Sequence, residues 1–215
     1  LRRQRQMCIR DSTSTLVIVE LLIPFFLAFE GRRPQARELV VLAVMCALAV
    51  AGRVAIPIPS FKAIFGIIMI AGIAFGPESG FLVGAISALA SNFFYSQGPY
   101  TPWQMMAYGA GGMLAGFVFA EGRLPRKPVV MGIFGFLAVA FFVGPLLDTC
   151  SVFLVMSRIS LKGAMAFYIS GFPVNLRQAV ATAIVLLVLG KPLLEKLDRI
   201  KTKYGILDDE GRKEA

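Results

Sequence analysis

Pro77 to Ala120 reads PESGFLVGAISALASNFFYSQGPYTPWQMMAYGAGGMLAGFVFA. Two apolar runs, Pro77 to about Gln97 and Trp103 to Ala120, flank one polar turn at 96–102. Each run is long enough to cross a hydrocarbon layer of ~30 Å as a helix. The strand alternation of a membrane barrel is missing, so the stretch predicts a transmembrane helical hairpin. Gly98, Pro99 and Pro102 stiffen its turn, and Ser91, Asn92, Tyr95, Gln97, Tyr100, Thr101, Trp103 and Gln104 gather around it.

The rest of the 215 residues is equally apolar: 57% of the chain is hydrophobic, 16% is charged, and the mean hydropathy is +0.72. Seven spans are predicted: Thr15–Phe29 (bent by Pro24), Ala36–Gly52, Lys62–Gly76, Pro77–Gln97, Trp103–Ala120, Val129–Met156 and Val174–Gly190. The segment SRISLKGAMAFYISGFP before the last span is polar at its start and carries Gly171 and Pro173. It is expected to form an external loop with a short interfacial helix. After Gly190, Leu193, Leu194, Leu197, Ile200 and Tyr204 recur at three- and four-residue spacing, an amphipathic stripe that suits a membrane surface or a partner helix.

The opening LRRQRQMCIRDS resembles a translated sequencing adaptor, and residues 1–12 are expected to be a non-native leader. Leaving out its four arginines and one aspartate lowers the net charge from +9 to +6. Lys and Arg near the span ends orient the chain. One side holds Arg32, Arg33, Arg37, Arg123, Arg126, Lys127 and the five cations from Lys191 to Lys203; the other holds Arg53, Lys62, Arg158 and Lys162. The richer side, with the carboxyl terminus, is expected in the cytoplasm of a prokaryotic cell. The 96–102 turn then faces outward.

Small residues recur four apart on three spans: Ala43, Ala47 and Ala51; Gly80, Gly84 and Ala88; Gly112 and Gly116. Such faces let helix backbones approach closely in lipid. Internal packing is the expectation for the glycine rows, whereas the alanine row is expected to face another protein. Intramembrane polar groups are costly unless partnered, so Asn92, Asp148, Asn175 and Arg177, all near the external level, are candidates for a ligand or for one another. Asp148 and Arg177 either contact ligand or form an ion pair. With Phe61, Gln97, Trp103 and Gln104 they supply the aromatic walls and converging amides that a flat organic molecule needs.

Several chemistries are excluded. There is no histidine, and Cys8, Cys46 and Cys150 lie far apart, so neither a zinc set nor a His-based triad can be assembled, and no metal or cofactor is expected. GxxxxGK[ST], GxSxG and HExxH are all missing. The chain is therefore not expected to be an enzyme, and active transport through it must draw energy from a partner. A membrane enzyme of lipid metabolism fits the residues least well. A self-sufficient channel or secondary transporter is the stronger alternative, although no internal repeat supports it.

The blocks ARELVVLAVMCALAVAGRVAIPIPSFKAI (36–64), GIAFGPESGFLVGAISALASNFFYSQGPYTPWQMMAYGAGGMLAG (72–116) and GKPLLEKLDRIKTKYGIL (190–207) resemble the S component, the substrate-binding subunit, of energy-coupling factor (ECF) vitamin transporters in the cobalamin- and riboflavin-like branch. The likeness runs over about 36–122 and 171–207 and is weakest across 129–170. It implies an all-α integral membrane protein with a six-helix core over 36–190. The span at Thr15–Phe29 departs from that six-helix plan: with its cytoplasmic loop it adds an extra transmembrane helix at 13–35, and a cytoplasmic amphipathic basic tail is expected at 191–215. It also implies capture of a vitamin or precursor at the external face and delivery to a transmembrane coupling protein and two ATPases. Ala43, Ala47 and Ala51 match the family's coupling-protein face.

Overall fold

The computed structural model describes residues 36–55, 61–119, 122–156 and 160–205, together with 16, 20 and 23. Among these residues six helices carry the fold: α1 (Ala36–Val54), α2 (Ile64–Phe75), α3 (Pro77–Tyr95), α4 (Thr101–Phe119), α5 (Pro128–Val155) and α6 (Leu161–Tyr204). No strand occurs among the described residues. The extra amino-terminal helix expected over 13–35 lies outside them apart from Leu16, Glu20 and Ile23, which are helical and exposed.

Local sequence explains most of the boundaries. Pro77 opens α3 and Pro128 opens α5, positions where a missing N–H costs nothing. One residue, Gly76, joins α2 to α3, and its φ of 93° is open to glycine at little cost. α3 stops at Ser96, which also adopts positive φ (83°). α6 begins where the Ser160 hydroxyl accepts from the Gly163 N–H at 3.2 Å and ends at left-handed Gly205.

Helix α2 is the centre of the bundle. All twelve of its residues are buried, consistent with a helix apolar on every face. It packs against α3, α4, α6 and α1. Around it the glycine rows make backbone contacts. A Cβ added at Gly84 would lie 2.6 Å from the Tyr108 carbonyl carbon, one at Gly112 2.7 Å from that of Gly80, and one at Gly116 2.6 Å from the Pro77 nitrogen. No real side chain tolerates those distances, so α3 and α4 meet backbone to backbone, as their spacing predicts. Ala43, Ala47 and Ala51 lie exposed along α1, outside this packing.

The structure corrects two expectations. Residues 161–173 are neither an external loop nor a separate interfacial helix; they form the first third of the 44-residue α6, which runs unbroken through Pro173 and Pro192. Proline removes one backbone donor, which a long buried or membrane helix tolerates when side chains occupy the freed carbonyls. Gly171 sits in this helix because the Asp148 carboxyl group packs against its Cα. The tail stripe is also largely consumed by the bundle itself, because Leu194 and Leu197 are buried in the main core. Asp198 pairs with Arg126 at 3.6 Å, Lys201 donates to the Ala74 carbonyl at 2.7 Å, and Arg126 donates to the Ile73 carbonyl at 3.2 Å. The two cations thus serve the orphan carbonyls at the carboxyl end of α2, where the helix dipole favours positive charge.

Replacing Gly112 by Val should cost at least about 3 kcal/mol, the upper range for overpacking, because backbone rather than a movable side chain blocks the added atoms. Ala43→Leu, on the exposed row, should stay within about 0.5 kcal/mol of the parent. Thermal unfolding of both variants in one detergent checks the pair, and equal midpoints would refute the backbone contact.

Candidate functional site

The 96–102 turn and the α1 carboxyl end are tied by a hydrogen-bond network centred on Arg53. Its Nη1 donates to the Asn92 Oδ1 at 3.0 Å and also to the Ser91 hydroxyl. Its guanidinium lies 5.0 Å from the Tyr95 ring centre and 5.6 Å from that of Tyr108, and the Tyr95 hydroxyl donates back to the Arg53 carbonyl at 3.0 Å. Asn92 is 0% exposed, and its Nδ2 donates to Gln104 Oε1 at 2.9 Å and to Thr101 Oγ1 at 3.1 Å. Thr101 then donates to Gln97 Oε1 at 2.9 Å, and Gln97 Nε2 donates to the Leu89 carbonyl at 3.1 Å.

Gln97 itself is exposed, whereas Gln104 and Trp103 are half-buried. The residues predicted from the turn are therefore brought together, largely through bonds to one another. Phe61 is half-buried just ahead of α2, whose start is held to α1 by the Ala63 N–H donating to the Gly52 carbonyl at 3.2 Å. The preceding Pro57 and Pro59 lie outside the described residues.

A second polar group sits in the seam between α5 and α6. Asn175 is buried and donates through Nδ2 to Asp148 Oδ2 at 2.6 Å. Two glycines make room for this pair. A Cβ on Gly171 would lie 2.7 Å from the Asp148 carboxyl carbon, and one on Gly144 2.8 Å from the Asn175 Nδ2. Just before Gly144, residues Val139–Val143 form a π-helical turn inside α5. The extra residue in such a turn rotates the remainder of the helix by roughly 100° about its axis, which accounts for Gly144 and Asp148 facing α6.

Arg177 takes no part in this seam. It is exposed, and its Nε donates to the Pro173 carbonyl at 3.2 Å. Of the two readings of Asp148 and Arg177, the mutual ion pair does not form: Asp148 accepts from Asn175, and Arg177 donates to the Pro173 carbonyl.

Trp103 and Gln104, adjacent on α4, link the two groups. Gln104 turns to Asn92 on α3, while the Trp103 ring stacks on Phe153 of α5 with centres 5.7 Å apart and planes 23° apart. Two enclosed polar atoms here have no hydrogen-bond partner among the described residues: the Trp103 Nε1 donor and the Gln178 Oε1 acceptor. An enclosed, unpartnered polar atom carries a penalty of about 1–3 kcal/mol and calls for an explanation. Gln178 lies one turn beyond Asn175 on α6 and is not among the residues that the sequence singles out; its spacing from Asn175 is the signal that could have found it. Arg53 enters the sequence argument only as a charge to be counted, although it stands within the last turn of a span.

The alanine row borders a different feature. Ala47, Val50, Ala51 and Val54 of α1, with Ala90 and Phe94 of α3, line an apolar groove of about 490 Å³. No group of three or more candidate metal ligands occurs among the described residues.

Among known proteins, the family model described as the ECF-type riboflavin transporter S component matches residues 34–195, about three quarters of the chain. No curated protein and no solved structure was found to match. The match covers all of α1 to α5, most of α6 and both polar groups, so the chain belongs to the S-component family of ECF-type riboflavin transporters, membrane transport subunits rather than enzymes.

Proposed function

We propose that this chain captures a flavin, riboflavin in the first instance, at the external face and passes it to a transmembrane coupling protein driven by two ATPases. The family match supports the substrate class and favours riboflavin over cobalamin. The observation that carries the reading is the two unpartnered enclosed atoms, Trp103 Nε1 on α4 and Gln178 Oε1 on α6, the latter one turn from the Asn175 that bonds Asp148. A ring system with both carbonyl acceptors and N–H donors along its edge complements such a set, and Trp103 and Phe61 supply stacking faces. Gln97, Gln104, Asp148 and Asn175 are the proposed polar contacts, with Asn92 acting through Gln104. Arg177, exposed at the rim, would meet an anionic group only in a phosphorylated flavin and is given no contact with riboflavin itself.

Placing this end of the bundle outside the cell rests on the charge count. Arg53 and Lys62 belong to the end that holds Asn92, while Arg126, Lys201 and their neighbours belong to the other, proposed to be cytoplasmic. The exposed Ala43, Ala47 and Ala51 row is the proposed docking face for the coupling protein, where small side chains permit close helix approach.

Riboflavin titrated into the purified wild-type protein should quench its own fluorescence saturably at one equivalent, and cobalamin should not compete. Trp103→Phe, which keeps the stack, and Gln178→Leu should each weaken flavin binding about tenfold, equivalent to ~1.4 kcal/mol. Neither should lower the unfolding temperature, because removing an unpartnered buried polar group is close to neutral. Absence of flavin binding by the wild type would overturn the assignment.

Co-expression with a coupling protein and its ATPases tests the docking face. Ala43→Leu with Ala47→Leu should abolish co-purification and leave flavin affinity unchanged. Flavin flux into liposomes containing this chain alone would favour a self-sufficient transporter instead.

A further inference from the structure

The direction of every hydrogen bond around Asn92 follows from one group. A guanidinium has donors and no acceptor, so the atom of Asn92 that faces Arg53 has to be its carbonyl oxygen. The Asn92 amide nitrogen then points the other way, and its two N–H groups are both spent, one on Thr101 Oγ1 and one on Gln104 Oε1. Thr101 is saturated in turn: it accepts from Asn92 and from the Gly98 N–H at 3.3 Å, and it donates to Gln97. Ser91 accepts from Arg53 and donates to the Ala88 carbonyl at 3.0 Å. Gln104 Oε1 faces Asn92 and accepts from it, which turns the Nε2 end of Gln104 the other way.

We propose that Arg53 is a positioning residue that polarises an amide relay running from Arg53 through Asn92 to Gln104, so that Gln104 presents its N–H donors, rather than its carbonyl, to the cargo. This rests on the proposal that Gln104 faces the captured flavin. The consequence is a specificity rule: at this point the site prefers a ring carbonyl or an unprotonated ring nitrogen over a ring N–H or amino group. Reversing the Gln104 amide would put its N–H against an Asn92 N–H, and reversing Asn92 as well would put an amide N–H against a guanidinium. The charge on Arg53 therefore holds two neutral side chains in one of their two orientations, and buried polar networks of this kind specify a unique arrangement. Tyr95 and Tyr108, both within cation–π distance of the guanidinium, help to hold it in place.

Four variants separate the parts. Gln104→Glu still accepts from Asn92 but has no donor; Gln104→Met has neither. Arg53→Met removes the polarising charge at similar length, and Arg53→Lys restores a donor-only cation. Riboflavin affinity should fall at least tenfold in Gln104→Glu, Gln104→Met and Arg53→Met, with Arg53→Lys recovering most of the loss. Infrared difference spectra of carbonyl-labelled riboflavin supply a readout that misfolding cannot mimic: a flavin carbonyl stretch lowered in the wild type and in Arg53→Lys should return toward its unbonded position in Gln104→Glu. Gln104→Glu that binds riboflavin as tightly as the wild type, with the same carbonyl band, overturns the specificity rule.

A ligand-free measurement keeps the relay separate from the functional reading. In the apo protein both Asn92 side-chain amide protons should exchange slowly with solvent, and in Arg53→Met they should exchange fast. Unchanged exchange in Arg53→Met refutes the relay even if flavin binds. Slow Asn92 exchange in a wild-type protein that binds no flavin refutes the flavin assignment and the specificity rule, and upholds the positioning role of Arg53.

Discussion

Backbone contact between α3 and α4 is the constraint on which the polar site depends. Lipid is as apolar as a leucine side chain, so burial of apolar surface gives helices little reason to associate, and close packing has to supply the attraction. Gly116 against Pro77, Gly112 against Gly80 and Gly84 against Tyr108 set one antiparallel register along the pair. The same register carried two turns further brings Asn92 opposite Thr101 and Gln104. A side chain at any of those glycines would push the helices apart and disturb the register. The amide relay is thus positioned by residues that have no polar side chain at all.

The two ends of the bundle use cationic side chains differently. At one end Arg126 and Lys201 reach the last carbonyls of α2, a short central helix with no solvent or lipid face through which to hydrate its terminus. Those cations close a helix, and they also draw the end of α6 onto the bundle, which explains why the tail's apolar stripe is not left for a membrane surface. At the other end Arg53 donates to side chains, whose orientation it can set. A cation on a carbonyl satisfies one group; a cation on an amide also dictates what the amide's far side presents.

What was legible in the sequence divides along the same line. Helix limits for α1, α3 and α4 fell within about two residues of their observed ends, because proline starts, the polar turn and the apolar runs are local signals. The small-residue rows also sorted as their spacing suggested, glycine rows inside and the Ala43 row outside. The α6 start was not legible. Gly171 and Pro173 are helix breakers by local preference, yet Gly171 is needed for the Asp148 carboxylate to enter the seam, and the Ser160 cap had already begun the helix upstream. The π-turn at Val139–Val143 leaves no mark in composition, so the partner of Asp148 could not be read off either. Arg53 illustrates a different failure: a charge counted for topology was not asked what it could bond to.

The arrangement divides the bundle in a way that suits capture of a flat molecule. Helices α1, α3 and α4 are joined at the polar end by Arg53 and its partners, and α5 and α6 by Asp148 and Asn175. Between these two sets the Trp103 ring reaches across to Phe153 by stacking, a contact with no directional bond to break. Each set is held by its own hydrogen bonds, none of which involves the stacked pair. Trp103 and Gln104 are neighbours on α4 that turn to opposite sets, and a ring entering beside Trp103 could exchange one stacking partner for another at little cost in packing. Polarity at such a seam is then decided by the groups that cannot reorient, which is why an amide held through Asn92 by Arg53, that of Gln104, would determine which edge of the ring is read.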